Sequence, residues 1–393
     1  MLTMAALGTV LMAPSASAAP PIYHLTDLGL SGGTQSLGYG INDIGQIVGV
    51  TLIGPGYHGF RSTAIGAPAA VTDLGTQGGS NTQAYAINNS GQVTGQADGL
   101  GNTVSHAFRT SSNGLVSDPG ADLSTLGGKV SVGNGINDSG QVAGTSNVSF
   151  NNPIEHAFRT SATGGVGDRD NQNISTTDLG VLAGGTSSYG RGINAVGQAT
   201  GYSTLTGGNT HVFRTTATGK ISDAGADLGT LGGFNAYGYA INDSGQVAGA
   251  GDTPTGSRVH AFRSSANGAP VVLTDLGTFG GLNSLAMGIN NAGVVVGYSN
   301  LPGNRETHAF YYDTALYDLN NYLDASGAGW VVNQGQHINS EGDIAAFAVL
   351  NNQLHSVRLT SGAVAVTPEP GAWGLLTSLG LAAVGFLRRR RVR

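Results

Sequence analysis

The chain has 393 residues, of which 66 are Gly, none is Cys and only 10% are charged. Without Cys, neither a disulfide framework nor a thiolate metal site can form. Low charge with regularly alternating apolar residues excludes a disordered chain and indicates a folded domain held together by strand pairing and packing.

The chain opens with an apolar run that ends in Ala16-Ser17-Ala18, a small-x-small cleavage pattern. We therefore predict a signal peptide over residues 1–18 and an exported protein. No basic residue precedes the apolar run, so we expect the start of this signal to lie upstream of Met1.

A nine-residue phrase recurs seven times after the signal. INDSGQVAG occurs unchanged at Ile136–Gly144 and Ile241–Gly249, and five variants keep its Asn and its Gly. This pattern, flanked by alternating apolar residues, is typical of a β-hairpin turn. The two positions between Asn and Gly vary, as expected for solvent-facing residues. Calcium binding by the turn oxygens is the alternative, but no copy has the three or four carboxylates that such a site needs.

Each phrase belongs to a longer unit, which runs from Asp-Leu-Gly through a Gly-Gly step, an alternating strand and the turn to His-x-Phe. Successive turn Asn residues are 46, 49, 57, 48, 48 and 49 residues apart. This period, with four short strands per unit, indicates propeller blades. We predict an all-β fold: a seven-bladed β-propeller of four-stranded blades, about 48 residues each, over residues 22–362. Helix is expected only in the two apolar terminal segments.

The two ends of the repeat region complement each other. Ile22–Gly29 is an outer strand with no blade before it, and His355–Thr360 is a third strand with no outer strand after it. Pairing these two strands would close the ring, whereas an open β-solenoid, the alternative, would leave both edges uncovered. The sequence therefore predicts a closed ring.

The strand before each turn is expected to be the innermost, at the propeller axis. One of its positions is small in every unit, because blades crowd together there. The position two residues before the Ile varies: Tyr39, Tyr85, Asn134, Arg191, Tyr239, Met287 and Gln336. A ligand site on a pseudo-symmetric ring should lie where the symmetry breaks or where rings can stack on a sugar. The candidate ligand-binding residues are Tyr39, Tyr85, Arg191, Tyr239 and the inserted Trp330.

Residues that recur in matching positions indicate scaffold. The His of His-x-Phe could suggest a metal, but matching blades place these side chains far apart, and we expect each to bond the Asp of Asp-Leu-Gly. The Arg after HAF recurs in five units and is also assigned to the scaffold. No catalytic motif, metal site or cofactor is predicted, which favours a non-enzymatic protein. The other symmetry breaks are Asp168, Arg169 and Asp170 in an insertion, and the pair Arg305 and Glu306.

The C-terminal segment has three parts. A linker over 363–370 contains Pro368, Glu369 and Pro370, and an apolar run of 17 residues follows at Gly371–Leu387. As a helix this run is about 26 Å long, a short transmembrane segment. The basic tail 388–393 would hold that end in the cytoplasm. Its key residues are Arg388, Arg389, Arg390 and Arg391.

The charge outside this tail is acidic. Five of the 17 Lys and Arg lie in the tail, so 12 remain against 23 Asp and Glu, about −11. This balance excludes nucleic acid as an expected partner.

The tail resembles the PEP-CTERM sorting signal in all three parts, and the repeats over about 22–360 resemble the extracellular HAF-repeat family. The first resemblance implies processing by an exosortase in a Gram-negative bacterium that makes exopolysaccharide; the second implies no established activity. We expect an inner-membrane-anchored precursor that becomes a non-catalytic cell-surface or extracellular-matrix protein. Its partner would be exopolysaccharide or another surface protein. The alternative is a polysaccharide-cleaving propeller enzyme, a glycosidase or lyase, that uses carboxylates such as Asp168 or Glu306.

Overall fold

The computed structural model describes residues 20–30, 32–166 and 177–362. These residues form a seven-bladed β-propeller, in which seven antiparallel sheets surround a central channel. The predicted number of blades and the predicted order of strands within a blade are confirmed, and helix is almost absent from the described residues. The predicted terminal apolar helices lie outside them.

The first four blades follow the chain in order, and their strands run from the channel outward. Blade 1 consists of Ser36–Ile41, Ile47–Ile53, Gly56–Ser62 and Val71–Asp73. Blade 2 consists of Gly78–Ile87, Val93–Gly99 and Ser105–Arg109. Blade 3 consists of Ser131–Ile136, Val142–Ser149, Asn152–Arg159 and Asp178–Gly180. Blade 4 consists of Ser188–Ile193, Ala199–Thr204, Thr210–Arg214 and Asp227–Gly229.

The last three blades complete the ring. Blade 5 consists of Ala236–Ile241, Val247–Asp252, Val259–Ser264 and Leu273–Asp275. Blade 6 consists of Ser284–Ile289, Val295–Asn300, Thr307–Tyr312 and Leu316–Asp318. Blade 7 consists of Val331–Ile338, Ile344–Leu350, Gln353–Ser361 and Tyr23–Asp27. Three short 3-10 turns cover Leu100–Asn102, Leu319–Tyr322 and Ala325–Gly327.

Blade 2 departs from the four-stranded pattern, because its outer segment forms only an isolated bridge between Phe108 and Asp122. The backbone there still pairs with the third strand. Arg109 N–H donates to the Ala121 carbonyl at 2.8 Å, and Leu123 N–H donates to the Ala107 carbonyl at 2.9 Å. The outer position is therefore occupied, by a segment too short to form a regular strand.

The ring closes between the two ends of the repeat region, as predicted. Tyr23–Asp27 lies antiparallel to Gln353–Ser361, with Leu25 opposite Leu359. The N–H of Leu28 donates to the Ser356 carbonyl at 3.1 Å. Blade 7 therefore has four strands, although its outer strand comes from the start of the chain.

The core lies mainly between neighbouring blades. One cluster joins Val212 of blade 4 to Val247 of blade 5, and the others repeat this arrangement around the ring. Burial of one Phe side chain contributes about 1.5–3 kcal/mol, so the repeated Phe stabilises the packing of six of the seven blades. The Phe of His-x-Phe is at most 2% exposed in six blades, at Phe60, Phe108, Phe158, Phe213, Phe262 and Phe310.

Close approach of blades explains the small residue on each inner strand. A Cβ atom added to Gly190 would lie 2.4 Å from the carbonyl oxygen of Gly144 in blade 3. A Cβ atom on Gly38 would lie 2.3 Å from the Ser356 hydroxyl of blade 7. Both distances are too short for carbon, so at these two interfaces the blades pack at this spacing only with Gly at this position.

Candidate functional site

The seven turn Asn side chains link the blades to one another. Each Nδ2 donates to the backbone carbonyl of the next turn Asn at 3.0–3.3 Å, and the seventh returns to the first. We call this closed set of buried hydrogen bonds the asparagine ring. The predicted hairpin geometry is confirmed, since the Gly of every turn has a positive φ. The ring members are Asn42, Asn88, Asn137, Asn194, Asn242, Asn290 and Asn339.

The residue after each Asn varies and is exposed in six of the seven turns, as expected, but at most steps of the ring it also takes part in a second set of hydrogen bonds. The N–H of Asp43 donates to Asn89 Oδ1 at 2.9 Å, and the N–H of Asn89 donates to Asp138 Oδ1 at 2.9 Å. Five of the seven steps have such a bond. A short side chain with an acceptor oxygen is therefore favoured here, and Ala195 interrupts the series because it has none.

The repeated His residues have the structural role predicted for them. Every Nδ1 lies 2.7–3.0 Å from a carboxylate oxygen of the Asp that begins an outer segment. The pair in blade 7 spans the ring closure. These pairs are His58–Asp73, His106–Asp122, His156–Asp178, His211–Asp227, His260–Asp275, His308–Asp318 and His355–Asp27.

The repeated Arg residues also belong to the scaffold, as predicted. Each Nη1 donates to the carbonyl of the turn Gly in the next blade at 2.5–3.3 Å. Blade 6 has Tyr311 at this position, and the Tyr23 hydroxyl donates to the Gly342 carbonyl at 3.2 Å instead. Five of these residues were identified from the sequence, and the sixth, Arg358, follows a degenerate motif: Arg61, Arg109, Arg159, Arg214, Arg263 and Arg358.

Each inner strand contains a β-bulge at the position that varies. In blade 1, Gly38 and Gly40 pair with the consecutive residues Gly49 and Val48, so Tyr39 is an extra residue without a partner. The same skip occurs in all seven blades. A bulge re-aims a side chain, and here the seven extra residues line the central channel, which encloses about 580 Å³.

Four of the five predicted ligand residues line this one channel: Tyr39, Tyr85, Arg191 and Tyr239. The rings of Tyr39 and Tyr85 are 5.5 Å apart between centroids. Trp330 does not share this site. Its ring packs edge-on against His355 at 5.1 Å and against the core of blade 7.

Three further Tyr residues form a contiguous aromatic surface near the channel end opposite the asparagine ring, and we call them the tyrosine cluster. Tyr189 stacks on Tyr202 with centroids 4.7 Å apart and an angle of 20°. Tyr237 of blade 5 meets the Tyr202 ring edge-on at 4.9 Å. All three side chains are half-buried.

Arg191 connects the channel to the tyrosine cluster. One Nη2 N–H donates to the Tyr202 hydroxyl at 3.2 Å, and the guanidinium carbon lies 5.7 Å from the centre of that ring. The Nε of Arg191 is buried and has no hydrogen-bond partner. Arg191 is the one Arg or Lys among the described residues that line the channel.

The phenols around Arg191 remain protonated at neutral pH. Burial raises the pKa of Tyr85 and of Tyr239 to about 12 in each case. Burial and, to a smaller extent, the nearby Glu155 carboxylate raise the pKa of Tyr189 to about 12. These side chains can therefore donate hydrogen bonds, and phenolates are scarce unless the pH is far above neutral.

The sequence did not identify the tyrosine cluster. Tyr189 and Tyr237 precede the varying position by two residues, and Tyr202 is the cross-strand partner of Tyr189. An available signal was that blades 4 and 5 alone among the seven have Tyr at this position of the inner strand. It carries little information without the register that joins Tyr189 to Tyr202.

No group of three or more His, Asp or Glu side chains in the described ranges could hold a metal ion. Asp168, Arg169 and Asp170 lie outside these ranges, and Glu306 lies on an exposed loop of blade 6. The predicted signal peptide, linker, sorting motif and transmembrane segment also lie outside them. Within the described ranges, no helix has the length and apolar character needed to span a membrane.

No family profile matches this chain, and a search of curated proteins gives no match. Solved structures share the fold at low identity. A Trypanosoma rangeli sialidase in complex with sialic acid matches 84% of this chain and 54% of its own length, at 11% identity and a TM-score of 0.39. The WD40 domain of Toxoplasma gondii coronin matches 88% of this chain and 85% of its own, at 8% identity and a TM-score of 0.38. This chain thus spans about half of the sialidase, and the likeness concerns the propeller fold alone.

Proposed function

We propose that this chain is an exported, non-catalytic surface or matrix protein whose propeller binds a polysaccharide at one mouth of its central channel. The observation that carries the proposal is the tyrosine cluster, in which three half-buried rings from two blades form one surface beside the channel. The expected ligand is the exopolysaccharide of the producing cell.

The chemistry of the cluster suits a sugar chain. A pyranose ring has apolar C–H faces and a rim of hydroxyl groups, and Tyr combines a flat apolar ring with a polar tip. Gln96 and Asn134 line the adjoining channel and add amide donors and acceptors. A concave surface of aromatic rings with a few polar groups is typical of small-ligand sites.

The phenols near Arg191 can act as hydrogen-bond donors. Burial raises the pKa of Tyr189 and of Tyr239 to about 12, so both side chains are neutral at physiological pH. Neutral phenols are good hydrogen-bond donors to sugar hydroxyls. The cluster therefore has the properties of a recognition surface.

The binding proposal is tested by co-sedimentation of the purified full chain with the exopolysaccharide of the producing strain, with new reducing ends scored in parallel. Replacement of Tyr189 and Tyr202 by Ala should weaken binding about 5- to 150-fold, since two aromatic contacts contribute about 1–3 kcal/mol. Phe234→Ala removes an aromatic side chain that is 66% exposed and outside the cluster, and should have no effect.

Three results would contradict the binding proposal. Equal binding by the double variant and the parent chain would exclude the tyrosine cluster. New reducing ends that disappear in Asp168→Asn or Glu306→Gln would replace binding by cleavage of the polymer. If the chain neither bound nor cleaved the exopolysaccharide, another exported protein would be the better candidate partner.

We further propose that residues 1–18 direct export and that Pro368, Glu369 and Pro370 are recognised by an exosortase, with Arg388–Arg391 holding the precursor in the inner membrane. The support is the small-x-small pattern at one end and the three-part tail at the other. Replacing the three motif residues by Ala should trap the protein in the inner membrane, as measured by membrane fractionation. Normal release of that variant would contradict sorting and favour a permanent single-span anchor.

A further inference from the structure

We infer that Arg191 forms a binding site for the carboxylate of an acidic sugar, so that the preferred ligand is a polysaccharide containing uronic acid. This inference rests on the proposed polysaccharide binding and adds a ligand class to it. It comes from one position at which the seven-fold pattern breaks. The other bulge residues are uncharged, and within the described part of the chain blade 4 alone places an Arg or Lys in the channel.

The hydrogen bonds of Arg191 leave the guanidinium incompletely used. Of its five N–H donors, one bonds the Tyr202 hydroxyl, while the buried Nε–H has no partner. No carboxylate in the described part of the chain lies within ion-pair distance of it. The scaffold residue Arg159 donates to three backbone carbonyls and one hydroxyl. Arg358 also has a buried Nε without a partner, but its Nη1 donates to two backbone carbonyls.

A carboxylate fits these donors better than a neutral hydroxyl does. The planar guanidinium presents parallel N–H groups that match the two oxygens of a carboxylate, and such charge-assisted bonds are about twice as strong as neutral ones. The nearby phenols of Tyr85 and Tyr239 are kept neutral by burial, so they can donate hydrogen bonds, while the Glu155 carboxylate lies beside Tyr189. Tyr85, Tyr189 and Tyr239 all lie close enough for the Arg191 charge to lower their pKa, against the larger effect of burial.

The charges along the channel also favour one direction of approach. Asp43, Asp138 and Asp243 lie on turns of the asparagine ring, at the mouth opposite the tyrosine cluster. Burial by itself would raise the pKa of Asp43, but hydrogen bonds from Ser340 and Asn89 and the nearby His337 hold it below its ordinary value. An anionic ligand would be repelled by these carboxylates and would reach Arg191 from the side of the tyrosine cluster.

The test is calorimetric titration of the full chain, kept in solution with a mild detergent, with trigalacturonate and with its methyl ester. The ester keeps every ring and hydroxyl and removes only the charge. We expect the acid to bind at least about 10-fold more tightly than the ester at low salt, which corresponds to about 1.4 kcal/mol. Arg191→Gln should abolish this preference, so that acid and ester bind with similar affinity, and measurable binding of the ester also shows that the variant is folded.

Two further variants guard against a folding defect. Arg191→Lys keeps the positive charge but loses the paired N–H donors of the guanidinium, and it should retain part of the preference for the acid. Tyr202→Phe removes the hydroxyl that orients the guanidinium and should reduce this preference several-fold. Arg305→Gln, on an exposed loop, is the matched control and should change nothing. Equal affinity for acid and ester in the parent chain, or a preference that survives Arg191→Gln, would overturn the carboxylate site alone. Absence of binding to either trimer would contradict the proposed polysaccharide binding as well.

Discussion

The asparagine ring should be a major determinant of propeller stability, and Asn242→Ala tests this. Asn242 is 3% exposed, and its Nδ2 donates to the Asn290 carbonyl at 3.0 Å and to Gln246 Oε1 at 2.9 Å. Its Oδ1 accepts from the Gln246 N–H at 2.9 Å. The substitution leaves a buried carbonyl unpaired, at about 1–3 kcal/mol, and a part-buried N–H unpaired, at about 1 kcal/mol.

We therefore expect Asn242→Ala to lower the free energy of unfolding by about 2–4 kcal/mol. For a domain of this length, that loss corresponds to a decrease of roughly 3–6 °C in Tm. The assay is thermal unfolding followed by circular dichroism. Ser244→Ala changes an exposed position of the same turn and should stay within about 0.5 kcal/mol of the parent. If both variants unfold at the same temperature, the hydrogen bonds of Asn242 make no net contribution to the free energy of unfolding, which would contradict the prediction.

Three further predictions concern closure, blade spacing and pH. Leu25 is 5% exposed, and Leu25→Ala should lower the free energy of unfolding by about 2–5 kcal/mol, as measured by denaturant unfolding. The control Leu100→Ala, at a residue that is 83% exposed, should leave it unchanged. Equal effects of the two substitutions would contradict the closed ring. Gly190→Ala should cost at least about 1–3 kcal/mol in the same assay, because its Cβ has no room between blades 3 and 4. Because folding raises the pKa of Tyr189 and Tyr239 from 10.0 to about 12, the native state holds more protons in this range, and stability should fall as pH rises from about 10 to 12. Absorbance at about 295 nm against pH, with Tm measured in parallel, checks this; phenols that titrate near 10 in the native state would contradict it.

The sequence predicted the propeller because the repeat is under a strong geometric constraint. Each turn needs Asn for the hydrogen bond to the next blade and Gly for the positive φ. Both residues are therefore present even in the last unit, INSEGDIAA. Closure of the ring could be predicted because Ile22–Gly29 matches the outer strand of a blade and has no blade before it. The irregular outer segment of blade 2 was not predicted, because the repeat pattern does not show how far pairing extends beyond the bridge at Asp122.

The ligand site was only partly predictable, for a reason that follows from the ring. Positions whose side chains form hydrogen bonds between neighbouring blades must repeat, so they are easy to recognise in the sequence, and their role is structural. The bulge position has no cross-strand partner, as Tyr39 shows. Strand pairing therefore restricts its side chain little, and one blade alone can have an Arg there, at Arg191. The sequence could therefore identify where variation is tolerated. It could not show that Tyr189, Tyr202 and Tyr237 meet beside that cation, because their contact depends on strand register and on the spacing of blades 4 and 5. Function in this fold is thus expected at unpaired positions, and a variant that moved Arg to the bulge of another blade should move the carboxylate preference only if Tyr residues were placed beside it.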